Sequence, residues 1–147
     1  IIRFHTRFPI GIPERIDDEL IEILGSLSKK VIFILHTNHP KELDEELKLR
    51  LSLLSQKKIT LLNQTVLLKG VNDSVKILEE LSWKLISYGI LPYYLHQLDP
   101  VKGGSHFKVN EENGKEMILE LKKRIPGYLV PRYVREIPGE PSKTIIL

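Results

Sequence analysis

Read for its apolar positions, the chain alternates short β-favouring runs with longer stretches of helical periodicity. Ile1 to Thr6 predicts a first strand, after which Pro9, Gly11 and Pro13 enforce a loop. Asp17 or Asp18 is placed to cap a helix whose Leu20, Ile21, Ile23, Leu24 and Leu27 share one face, with Ser26 and Ser28 at its end. Val31 to Leu35 is a compact run suited to a parallel strand covered on both faces, and it stops at His36, Thr37, Asn38 and His39. Pro40 opens the next helix. Leu43, Leu47, Leu51 and Leu54 form its stripe across Glu42 to Gln56, acids early and bases later, as the helix dipole favours. Ile59 to Leu62 predicts a third strand ending at Asn63 and Gln64, with Val66 to Leu68 a separate apolar piece before the turn from Gly70 to Asp73. A helix follows from Ser74 to Tyr88, carrying Val75, Leu78, Leu81, Leu85 and the sole tryptophan, Trp83, and stopped by Gly89. Leu91 to Leu98 reads as the fourth strand, Gly103 and Gly104 as a loop, and Asn110 as the cap of a last helix through Lys123 with Met117, Ile118 and Leu121 inside.

Strand starts near Ile1, Val31, Ile59 and Leu91, each interval filled by one helix, give the rhythm of successive βα units. About four such units predict an α/β fold of the half-barrel type, with an open doubly wound sheet as the alternative. The chain reads as a single domain over residues 1–147, with 126–147 a distinct C-terminal segment. Half a barrel would leave Ile1–Thr6 and Leu91–Leu98 as outer strands with unpaired backbone groups, so association or a homo-oligomer is expected.

Composition narrows the classes. The 147 residues are 41% hydrophobic, enough for a real core. The net charge is only +3, with basic residues scattered, so nucleic acid binding is not indicated. There is no cysteine, which excludes disulfides and thiolate-held zinc or iron–sulfur centres built from this chain alone. Neither a membrane-length apolar run nor a signal peptide is visible, and a cytoplasmic location is expected. Because Ile1 already lies in an apolar run and Met117 is the only methionine, an N-terminal part is expected before this segment.

The polar residues sit where α/β folds build sites. His5 and Arg7, His36 to His39, Asn63 and Gln64, and His96 to Asp99 fall at predicted C-terminal strand ends, and none of the five histidines falls in a predicted helix. Gathered on one rim, His5, His36, His39, His96 and His106 would suit a metal such as zinc, iron or manganese; the plainer alternative is a polar mouth lined by hydrogen-bonding imidazoles. Asp99 and Glu136 are the acids expected at that mouth, for a cationic substrate or for acid–base work, against turn and surface roles. Gly103, Gly104, Ser105 and His106 could receive a phosphate through backbone N–H groups, on weaker evidence. Lys143 stands in an irregular stretch from Val130 to Thr144, broken by Pro138 and Pro141. A lysine on such a shaped loop can lose its proton in a partly dry pocket and hold a carbonyl cofactor; a solvated charge is the bland alternative.

The stretches Asn63 to Asp73 (NQTVLLKGVND), Pro92 to Asp99 (PYYLHQLD) and Gly139 to Thr144 (GEPSKT) resemble the lysine 2,3-aminomutase family of radical S-adenosylmethionine enzymes. Within it the chain is similar to the branch that makes (R)-β-lysine for modifying elongation factor P. The resemblance runs from Ile1 to Leu147 and implies strands three to six of a six-stranded partial (β/α) barrel, with site residues at the C-terminal rim. It implies that Lys143 anchors pyridoxal 5′-phosphate, that Asp99 and Glu136 bind the amino groups of L-lysine, and that His36 and Gln64 lie on the S-adenosylmethionine side. The family position of Glu136 is Asp in the free-lysine enzymes, and Glu140-Pro141-Ser142 stands where they carry glycines. The implied reaction, 1,2-amino migration from C2 to C3, also needs a 4Fe-4S cluster. Its three-cysteine motif would precede this segment, so the chain alone is expected to be inactive. The product would pass to an elongation factor P lysylation enzyme. Two readings from other classes compete: a metal-dependent hydrolase using the histidine rim, and a non-catalytic truncated half-barrel.

Overall fold

The computed structural model describes residues 1–147, and the alternation of βα units persists through it. The strands are β1 (Ile2–Thr6), β2 (Val31–His36), β3 (Thr60–Leu67), β4 (Leu91–Gln97), β5 (Arg132–Arg135) and β6 (Thr144–Ile145), with helices α1 (Phe8–Gly11), α2 (Asp18–Ser26), α3 (Glu45–Gln56), α4 (Val75–Ser87) and α5 (Glu111–Leu121). They form one six-stranded sheet in the order β1-β2-β3-β4-β5-β6. Neighbours from β1 to β5 are parallel, and β6 runs antiparallel to β5.

Side-chain caps start the longer helices. Asp17 accepts from the Leu20 N–H at 2.8 Å, Asp44 from Leu47 at 2.8 Å, Ser74 from Ile77 at 3.3 Å and Asn110 from Glu112 at 2.9 Å. α3 therefore starts at Glu45, not Glu42, because Pro40–Glu42 forms a separate 3₁₀ turn before the Asp44 cap.

Three expectations about strands are corrected. β3 runs unbroken through Asn63 and Gln64 to Leu67, because its polar residues alternate with apolar ones and keep strand periodicity. The stretch from Val130 is not irregular throughout, since Arg132–Arg135 pairs with β4 and Thr144–Ile145 pairs back on β5. Leu91–Gln97 is consequently an interior strand, and β1 is the only long strand left as an edge.

The register sorts the strand residues onto two faces. Leu61, Asn63, Thr65 and Leu67 of β3 are buried, and the residues between them are half-buried. The buried face packs with every long helix: Phe33, Leu35 and Leu61 cluster with Ile21, Leu47, Leu51 and Leu81, and Leu67, Leu95 and Tyr133 with Leu78, Ile118 and Leu121. Each fully buried Leu or Ile contributes about 1.5–3 kcal/mol. Helices on one face only are the arrangement of a partial barrel and not of a doubly wound sheet, and Val31–Leu35 is nonetheless buried on both faces, with Ile34 on the opposite face as covered as Phe33 and Leu35.

Polar side chains brace that buried face. Asn63 accepts from the Thr37 N–H at 3.1 Å and donates to the Thr65 hydroxyl at 2.8 Å, while Thr65 donates to the Thr37 carbonyl at 2.8 Å. Asn72 accepts from the Leu68 N–H at 2.7 Å and donates to the carbonyls of Asn38 and Val66 at 2.9 and 2.8 Å. Under α5, the Tyr133 hydroxyl donates to Gln97, whose amide donates to the Val109 carbonyl at 2.9 Å. Gly114 makes room for this arrangement, because a Cβ there would collide with the Tyr133 ring and hydroxyl.

Candidate active site

The opposite, open face collects the candidate chemistry. In register across it stand His5 against Ile34, His36 against Gln64, Gln64 against Tyr94, and His96 between Val66 and Val134. The register shift at Asn63/Gln64 opposes Pro92 to Asn63 and Tyr94 to Gln64, leaving Tyr93 as the extra residue. Proline has no N–H for the ladder, so a bulge beside Pro92 is the economical solution, and it turns Tyr94 and His96 toward the open face. The His5 and His36 rings meet edge to face at 5.9 Å between centroids, and those of Tyr94 and His96 at 5.7 Å.

The β5–β6 pairing delivers Lys143. Because Arg135 opposes Thr144, the next residues outward in the hairpin, Glu136 and Lys143, also oppose one another. The Lys143 ammonium donates to the Glu136 carboxylate, with the Lys143 side chain only 27% exposed. Its Nζ lies 6.0 Å from the centre of the Tyr94 ring. Gly139, at φ +90°, lets the intervening loop reverse.

Charge and burial act together here. The ion pair with Lys143 holds the Glu136 carboxyl below its ordinary range. Burial, and then neighbouring cations including Lys143, push His5, His36 and His96 below the ordinary 6.5. The Nε2 atoms of His36 and His96 are buried and have no hydrogen-bond partner. An unpaired buried polar atom is costly, so these two point to a site that a ligand completes.

Asp99 and Glu136 line one cleft of about 1030 Å³, together with Gln97, Ser105, Lys108 and Arg135. Arg135 is itself paired with Glu111 at 2.9 Å. The structure thus brings Lys143 and Glu136 into contact and sets Asp99 in the same cleft as Glu136. His36 and Gln64 occupy facing positions on β2 and β3, not at a β3 end.

Other polar candidates lie outside that group of side chains. Asn63 faces the helices and braces Thr37. Arg7 donates to the His36 carbonyl at 3.0 Å and pairs with Glu42 at 2.7 Å. His39 Nδ1 accepts from the Lys41 N–H at 3.1 Å, capping the 3₁₀ turn. His106 lies exposed on a 3₁₀ turn, Ser105–Phe107, its ring tilted against that of Phe107. The five histidines therefore do not form one rim, and no three His, Cys, Asp or Glu residues come together in a metal-holding group. Tyr94 escaped the sequence reading; its signal was the alternation along PYYLHQ that puts it on the His96 side.

Among characterised proteins, the chain is 46% identical over 144 residues to an L-lysine 2,3-aminomutase of Haemophilus influenzae, a match covering 98% of the chain and 43% of the relative. It is 48% identical over 145 residues to the L-lysine 2,3-aminomutase of Buchnera aphidicola, covering 99% of the chain and 43% of the relative. This chain belongs to the lysine 2,3-aminomutase family. It spans less than half the length of these aminomutases. The crystal structure of a radical SAM methyltransferase from Sphaerobacter thermophilus superposes with a TM-score of 0.64 at 19% identity, covering 92% of the chain and 41% of that protein. That likeness supports a partial radical SAM-type β/α fold for this chain. No family model matches the chain. Family membership and the dispersed histidines both disfavour the metal-dependent hydrolase.

Proposed function

We propose that the complete protein is a radical S-adenosylmethionine, pyridoxal phosphate-dependent L-lysine 2,3-aminomutase that makes (R)-β-lysine for the modification of elongation factor P. The observation that carries this reading is the contact of Lys143 with Glu136 on the open face, Glu136 itself lining a cleft with Asp99. The elongation factor P branch is favoured by Glu140-Pro141-Ser142 ahead of Lys143. The residues suit pyridoxal phosphate: a half-buried primary amine stands beside Tyr94, with unpartnered imidazole nitrogens on the same face. They do not suit a 4Fe-4S cluster, for which this chain offers no thiolate.

When bound, pyridoxal phosphate supplies the carbonyl that carries the migrating amino group, and S-adenosylmethionine supplies the radical that removes a hydrogen. Lys143 would hold the first of these covalently, and to do so its ammonium would have to give up a proton and leave Glu136. Glu136, ionised well below neutral pH, would then be free to receive the ammonium group of the substrate, with Asp99 in the same cleft and the third acid there, Glu111, taken up by Arg135. The two carboxylates would grip the free ammonium end of the substrate by charge-assisted hydrogen bonds, so the protein contributes position and charge. His36 and Gln64, neighbours across β2 and β3, are the residues for the S-adenosylmethionine side.

Substitution of the complete protein tests these roles. Lys143→Ala is expected to abolish borohydride-trapped pyridoxyl labelling and turnover. Asp99→Asn and Glu136→Gln are expected to keep the label but weaken lysine use about ten- to a hundredfold each, the equivalent of roughly 1.5–3 kcal/mol for a charged hydrogen bond. Labelling that persists in Lys143→Ala would move the attachment elsewhere, and unchanged kinetics in both acid variants would return Asp99 and Glu136 to turn and surface roles.

A further inference from the structure

His96 stands at the centre of the open face with nothing to bind. Its strand partners in register, Val66 and Val134, offer only methyl groups, and its Nε2 is buried without a hydrogen-bond partner. The ring is held edge-on by Tyr94, at 83° and 5.7 Å. That same tyrosine ring lies 6.0 Å from the Lys143 amine. Glu136 follows Val134 by two residues, one pleat further along the same face. Lys143, Glu136, Asp99 and His36 all lie close enough to bias protonation of His96. No other histidine is described with that set of neighbours.

We propose that His96 is a further ligand-contacting residue of this site, its Nε2 hydrogen-bonding a polar atom of the pyridine aldehyde phosphate held on Lys143. The inference rests on the reading that Lys143 carries that group. A buried ring nitrogen without a partner costs the free protein stability that a polar ligand atom restores on binding. Burial and the Lys143 charge favour the neutral ring, which presents at Nε2 either one lone pair or one N–H according to tautomer. Tyr94 meets the ring edge-on and limits its reorientation, so the side chains that cover Nε2 are what must move aside for the ligand. A purely structural histidine would instead have its nitrogens satisfied within the fold, as His39 does through the Lys41 N–H.

The test uses the complete protein and pyridoxal phosphate alone as the probe. Imidazole ¹⁵N spectra, assigned with His96→Gln, are expected to show the His96 Nε2 resonance moving as the probe saturates. His96→Leu, checked for an unchanged circular dichroism spectrum, is expected to bind the probe about two- to tenfold more weakly, the range of one hydrogen bond. His96→Gln, whose amide reaches the Nε2 position, is expected to recover most of that loss. A stationary His96 resonance while Lys143 is labelled overturns the inference and leaves the Lys143 reading standing. A resonance that moves without a Lys143 label sustains the His96 contact and removes the attachment point. If neither occurs, both are overturned. The wild-type spectra decide the matter even where His96→Leu does not fold.

Discussion

Three histidines on the open face carry a pH signature. His5, His36 and His96 titrate below the ordinary 6.5, because folding withdraws their rings from water and sets cations beside them. Between those lowered values and about 6.5 the unfolded chain binds more protons than the folded one. Their contribution to stability is thus fully present above pH 6.5 and is lost as pH falls through that value toward the folded ones. Glu136, also lowered, loses its contribution only at more acid pH, below the ordinary carboxylate value of 4.5, so the two effects separate. The thermal midpoint is expected to fall between about pH 7.5 and about pH 5.5, and to fall less in a His36→Gln, His96→Gln double variant, as read by scanning calorimetry.

At the scale of elements, α5 and β5 are locked by one close approach. The Tyr133 ring, fully buried, fills the space beside Gly114, and a Cβ at that position would come within 2.7 Å of its Cε1. Alanine is the better helix former by about 1 kcal/mol, but overpacking against a ring that cannot move costs about 1–3 kcal/mol. Gly114→Ala is expected to be destabilising on balance in urea unfolding, despite its helix propensity. The Tyr133 hydroxyl, pushed up to about 12 by burial, stays protonated and donates to Gln97 across the working pH range. This lock fixes the β4 end from which Asp99 enters the cleft.

For the whole molecule, the sheet ends differ. β6 is two residues long and presents little backbone, whereas β1 is a five-residue edge with exposed Ile1 and Phe8 beside it. The Ile2 N–H donates to the Lys30 carbonyl at 2.9 Å, so by alternation the N–H groups of Arg3 and His5 point away from the sheet. Such an edge is a template for another strand. The isolated 147-residue chain is expected to associate with rising concentration, and Arg3→Pro to reduce that association without breaking the β1–β2 ladder. Light scattering checks both, and a monomer at high concentration in the parent chain would count against the edge as the cause.

Sequence by itself determined the elements whose signals are local. The Asp17 and Asn110 caps, the Leu47, Leu51 and Leu54 stripe of α3 and the βα rhythm depend on nearby neighbours, and they appear where the pattern puts them. The GEPSKT and PYYLHQLD stretches likewise pointed to the family. Only tertiary structure decided which face each polar residue serves. Asn63 and Gln64 are adjacent in the chain, yet one braces the core and the other faces the site, because strand side chains alternate and register sets the phase. Arg132–Arg135 and Thr144–Ile145 are too short to announce themselves, and they become strands because β4 and then β5 offer backbone partners. The meeting of Lys143 with Glu136 follows from that pairing. Contacts between residues far apart in sequence depend on how strands are laid side by side, which periodicity along one chain does not encode.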